Sequence, residues 1–177
     1  MTYPVFASGD VLNASDMNAV GRWLVKTQTI GTAVSSVEVT SAFSSDYVNY
    51  EICVDATTTS AGTELLFLLG SATTSYYSTY AYYSSQSAGD AIVRVNNGSS
   101  FSVGLTDTST GRNFYQLFVS NPQTTVVTSF TGLWSARLYN GFSGGVQNSA
   151  TQFTSFKIQP GTGTMTGGTI RVYGYRD

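Results

Sequence analysis

The sequence predicts an all-β protein, an antiparallel sandwich or barrel preceded by one short helix. Two observations point there. About nine short apolar runs at period two follow one another, separated by turn signals rich in Gly, Ser, Thr and Asn. Only one stretch, near the N-terminus, carries helix signals. The 177 residues support a single domain whose folding buries roughly 70% of the surface the unfolded chain exposes. No period of 20–50 residues repeats, which argues against a solenoid or propeller.

In "VLNASDMNAVGRW", Asn13 is placed to cap a helix, and Asp16 three residues on favours the positive helix end. Leu12 and Met17 can staple the first turn, and Gly21 ends the helix after about two turns. Two turns are too short to stand alone in water. Phe6, Val11, Leu12, Met17 and Trp23 therefore need a surface to dock on, either a partner, other subunits or the chain's own sandwich. Residues 1–24 are read as an attachment segment and residues 25–177 as the sandwich domain.

From Trp23 onward the period is two. "VSSVEVT" sets Val37 and Val39 against Glu38, and "YVNYEICVD" sets Tyr50, Ile52 and Val54 against Glu51, Cys53 and Asp55. "TELLFLLGS" is continuously apolar, as for a strand covered on both faces or central in a sandwich. Asn97-Gly98 in "AIVRVNNGSSFSVGL" predicts a hairpin, because that pair tolerates the positive φ of tight turns. "NFYQLFVSNP" ends at Pro122, and "TTVVTSFTGLWSARLY" reads as a long strand or a bulged pair breaking at Gly132. "NGFSGGVQNSA" reads as a loop, "TQFTSFKIQP" as a strand and "GTGTMTGG" as a loop. The last run alternates Ile170, Val172 and Gly174 against Arg171, Tyr173 and Tyr175, which predicts a terminal strand paired inside the sheet.

Charged residues are 10% of the chain, against about 25% in an ordinary soluble domain. So neutral a surface suits packing against copies of the chain or other proteins, and it suits a merely soluble protein as well. Net charge is −2, and six arginines and two lysines are scattered, so no basic stripe marks a nucleic-acid surface. With no His and one Cys, Cys53, the Ser-His-Asp and Cys-His nucleophile systems and Cys/His zinc sites are excluded. No run reaches the length of a membrane-spanning helix and no secretory signal opens the sequence, so the expectation is synthesis in a cytoplasm and no membrane partner.

Five tyrosines, Tyr76, Tyr77, Tyr80, Tyr82 and Tyr83, stand in "SYYSTYAYYSS". Tyrosine gives rigid contact area with a polar tip, which suits a saccharide or a protein surface, while core and subunit packing is the plainer use of the same residues. The 139–149 region is the second candidate contact. Glu51, Glu64, Asp90 and Asp107 are the mid-chain carboxylates a glycosidase pair would draw on, but no spacing brings two together, and no enzyme activity is expected. Asp90, Asn96 and Asn97 could offer oxygens to calcium but lack a metal-loop spacing and read as turn residues. No cofactor and no metal are expected.

Two stretches carry a resemblance. "FASGDVLNASDMNAVGRW" resembles the short N-terminal segment that opens many tailed-bacteriophage fibre and virion surface proteins, and "SFKIQPGTGTMTGGTIRVYGYR" resembles the closing strands of that group. "AFSSDYVNYEICVDATTTSAGTELLFLLG" is similar to the group's Y-x-x-Y strand, polar turn and hydrophobic strand. Residues 72–150 match in general character only. The resemblance implies a jelly-roll-like sandwich and a homotrimer on the virion surface, its N-terminal segment attaching to other virion proteins. Its role would be that of a tail fibre binding host-surface glycan or protein. The alternative is a capsid decoration or head-fibre protein that stabilises the shell, favoured by the lack of a coiled-coil or β-helix shaft in this sequence.

Overall fold

A computed structural model describes residues 8–9, 11, 21–85, 89–108 and 112–175. The expected helix over 13–20 lies outside the described residues. Among the described residues twelve strands follow one another: β1 (Arg22–Thr29), β2 (Val37–Val39), β3 (Asn49–Thr59), β4 (Glu64–Leu69), β5 (Tyr76–Ser84), β6 (Ala91–Gly98), β7 (Phe101–Leu105), β8 (Asn113–Ser120), β9 (Thr128–Ala136), β10 (Tyr139–Gln147), β11 (Phe156–Pro160) and β12 (Met165–Tyr175). They form an eight-stranded sheet, β1-β12-β3-β8-β9-β10-β5-β6, and a four-stranded sheet, β2-β11-β4-β7. Every pairing is antiparallel. Over the described residues the protein is an all-β sandwich.

The period-two pattern sets the layers, because alternate strand residues face opposite ways. Tyr50, Ile52 and Val54 of β3 and Ile170 and Val172 of β12 are buried, and they meet Phe67, Phe101 and Phe156 of the smaller sheet in one core. Each such side chain contributes roughly 1.5–3 kcal/mol by leaving water. Phe67 packs edge-on against Phe156 at 5.5 Å, and Tyr76 against Phe101 at 4.8 Å. The terminal strand behaves as its alternation predicts: β12 lies between β1 and β3, and Gly174 faces inward beneath the Tyr47 ring.

Four local expectations change. The segment 91–105 is not a hairpin, since β6 pairs with β5 in the larger sheet and β7 with β4 in the smaller. Asn97 does take a positive φ of 53°, but it spends it in a register shift between the Tyr76–Gly98 and Ser78–Val95 pairs, from which the chain crosses to bury Phe101 and Val103. The segment 140–150 is not a loop over most of its length. Its residues up to Gln147 belong to β10, paired on both sides, where Gly141 and Gly145 let the neighbouring backbone come close.

Gly132 marks no break either, because β9 keeps continuous register with β8 and β10. Its side faces the core, where a Cβ would stand 2.6 Å from Leu117 Cδ2. The loop after Pro160 ends at Met165, where β12 begins. In β4, Leu65, Phe67 and Leu69 are buried while Leu66 and Leu68 are only half-buried. That is the pattern of an interior strand of a sandwich with one face inward.

Candidate functional site

The outer face of the eight-stranded sheet carries the chemistry, and strand register orders it into rows. One row runs Cys53, Gln116, Leu133, Phe142, Ala81, Ile92 across β3, β8, β9, β10, β5 and β6. A second runs Glu51, Phe118, Thr131, Gly144, Thr79, Arg94 over the same strands. Phe118, Leu133, Phe142 and Ile92 are 41%, 61%, 52% and 60% exposed. They form a continuous apolar band across five strands, with Ala81 buried between Phe142 and Ile92. Isolated exposed apolar residues are ordinary, but a contiguous band marks a contact surface.

The five tyrosines divide as strand alternation requires. Tyr76 and Tyr80 are buried between the sheets and Tyr82 is half-buried, whereas Tyr77 and Tyr83 stand on the outer face. Tyr76 Oη accepts from the Leu69 amide at 2.9 Å. The Tyr80 hydroxyl donates to Glu64 Oε1 at 3.0 Å, and Ser102 Oγ donates to Oε2 at 2.9 Å. Burial, the Glu64 charge and that hydrogen bond push the Tyr80 phenol well above its ordinary range. Two of the five are therefore core.

At the other end of the same face Glu51 is almost wholly buried although it belongs to the outward set. Arg22 Nη1 donates to Oε2 at 2.5 Å, and Tyr175 Oη donates to the same oxygen at 2.7 Å. Gln116 Nε2 donates to Oε1 at 2.7 Å, and the Cys53 thiol to Oε1 at 3.4 Å. Burial alone would raise this carboxyl, but the four donors outweigh it and hold Glu51 below its usual range. The Arg22 guanidinium also lies 4.0 Å from the Tyr173 ring centre. This network ties β1, β12, β3 and β8 together. Sequence reading placed Glu51 outward without finding its partners, which come from strands far apart in the chain.

The other carboxylates are scattered. Glu64 belongs to the smaller sheet, and Asp90 Oδ1 accepts from the Ser84 amide at 3.3 Å. Asn97 Oδ1 accepts from the Ser75 amide at 3.2 Å, the backbone-holding use expected of a turn residue. Among the described residues no three His, Cys, Asp or Glu side chains gather as metal ligands.

Of the expected docking residues, Phe6, Leu12 and Met17 lie outside the described residues. Val11 is 84% exposed. Trp23 sits in edge strand β1 opposite Gly174, its Nε1 enclosed without a hydrogen-bond partner among the described residues. β1 opens at Arg22, so the N-terminal segment joins the sandwich directly beside the Glu51 network. No model of a known protein family and no curated protein matches the chain.

Proposed function

We propose that the chain is a non-enzymatic structural protein of a tailed-bacteriophage virion surface, assembled as a homotrimer and attached through its N-terminal segment, with a receptor-binding role of the tail-fibre kind. The observation that carries it is the apolar band of Phe118, Leu133, Phe142 and Ile92, on a sheet face that the described residues leave exposed. In a chain with so few charges such a face calls for a protein surface to cover it.

A jelly-roll-like reading of the sandwich draws support from the strand orders. β1-β12-β3-β8 in one sheet faces β2-β11-β4-β7 in the other, as when one long folded hairpin wraps so that successive strands fall in opposite layers. β9, β10, β5 and β6 extend the first sheet beyond that unit. The band and the exposed tyrosines both lie largely on this extension. The sequence of the N-terminal segment and that of the closing strand supply the virion part of the reading through their resemblance to phage surface proteins.

Light scattering on the intact chain tests assembly: three copies are expected, and Leu133→Glu with Phe142→Glu should give a folded monomer. A monomeric parent chain would overturn the assembly. Antibody labelling of intact particles tests placement. Label at the tail supports the receptor role, label over the head makes the chain a capsid decoration protein, and no label on any particle sinks the virion reading.

A further inference from the structure

We infer that a groove on the outer face, over β10, β5 and β6, binds a saccharide unit that carries a carboxylate. This names a ligand class for the receptor-binding part of the reading above and rests on that part alone. The groove has a volume of about 420 Å³, within the roughly 300–1,000 Å³ of small-ligand sites. Tyr77 and Val146 pair across strands at one end, and Thr79 lies in register between Gly144 and Arg94. Asn96 completes the β6 side.

Gly144 makes the groove, and the fold does not require a glycine there. Its φ is not positive, and a Cβ would come no nearer than 3.4 Å to Phe130 O and 3.8 Å to Thr131 Cγ2. Its neighbour Gly145 differs, since a Cβ there would stand 2.3 Å from Tyr77 O. Glycine weakens a strand interior, and at position 144 packing gives nothing back. What the missing side chain leaves is open floor between Phe142 and Val146, its neighbours on the same face of β10.

Arg94 sets the charge of the ligand. It is exposed, and it has no ion pair or hydrogen bond among the described residues, whereas Arg22 and Arg112 are paired with Glu51 and Asp55. No acidic side chain lines this groove. A guanidinium presents a planar fork that matches a carboxylate with two parallel hydrogen bonds. Tyr77 and Val146 offer apolar surface to a sugar ring, and the Thr79 hydroxyl and Asn96 amide can exchange hydrogen bonds with ring hydroxyls.

The test is calorimetric titration of the intact chain with oligogalacturonate and with oligosialate, set against neutral oligogalactose and inorganic phosphate. One of the two acidic oligosaccharides should bind, at least tenfold more tightly than the neutral one, with phosphate weaker still. Arg94→Ala should weaken that binding at least tenfold and Gly144→Val should abolish it. Arg94→Ala should keep the parent melting temperature, Gly144→Val should match or exceed it, and both should keep the parent mass in light scattering. Binding of phosphate alone, equal binding of neutral and acidic sugars, or binding to neither acidic sugar would overturn the inference. So would parent-like binding by Gly144→Val. A change of mass in Gly144→Val would reassign the groove to the subunit contact and overturn it too, whereas a monomeric parent that still binds the acidic sugar would leave it standing while assembly falls.

Discussion

Tyr175 and Glu51 stand 124 positions apart in the chain, and the phenol of the first donates a 2.7 Å hydrogen bond to Oε2 of the second. Through that oxygen Glu51 also holds Arg22, so one carboxylate clamps the last strand and the first to the middle of the sheet. Glu51→Ala should cost about 1–3 kcal/mol, because it leaves the Gln116 and Tyr175 donors without an acceptor in a water-poor site. At this chain size the melting temperature should fall by about 2–4 °C per kcal/mol.

The same group makes stability depend on pH. The Glu51 carboxyl is held below its usual range in the folded protein, so its contribution is complete above the unfolded carboxylate range near pH ~4.3. It is lost as pH falls through the lower folded value. Urea midpoints at neutral pH and in steps below pH ~4 should fall more steeply for the parent than for Glu51→Gln. Parallel curves would show that Glu51 is not the group responsible.

Cys53 should be slow to react. Burial, reinforced by the Glu51 charge, raises its thiol to about 11, and the thiolate is the nucleophile. At mildly alkaline pH the folded protein should be modified by a disulfide reagent far more slowly than a free thiol, and denaturant should remove the protection. Fast labelling of the native chain would contradict the contact with Glu51.

Gly104 is where backbone and packing demand the same residue. Its φ is +146°, and a Cβ would lie 2.5 Å from Trp134 Cδ2. Gly104→Ala should cost about 2–3 kcal/mol through strain and displaced indole, read as a lower denaturant midpoint with a shifted Trp fluorescence. A neutral result would mean that the Trp134 ring is free to move.

Neighbouring tyrosines should behave oppositely. Tyr76→Phe removes the acceptor of the buried Leu69 amide and should cost about 1–2 kcal/mol. Tyr77→Ala, on the outer face, should change stability by no more than about 0.5 kcal/mol and should weaken saccharide binding. Equal losses from the two in a melting series would contradict the alternation of β5.

The local pattern alone determined the all-β class of the described residues and the facing of most strands, as the burial of Tyr50, Ile52 and Val54 and of Ile170 and Val172 bears out. Alternation is a property of the extended chain itself: successive side chains point opposite ways whatever the strand pairs with. Partner choice is different. Asn97-Gly98 carries every local sign of a hairpin turn, yet β6 and β7 separate into two sheets, because burying Phe101 and Val103 against the opposite layer outweighs local turn preference. The glycines of β10 look like loop residues until Ala81 and Tyr77 are brought alongside them. Glu51 reads as a solvent-facing charge until Arg22, Gln116 and Tyr175 converge on it. The apolar band and the groove at Gly144 belong to this second kind. Each is assembled from single residues on separate strands, which only the tertiary register places side by side.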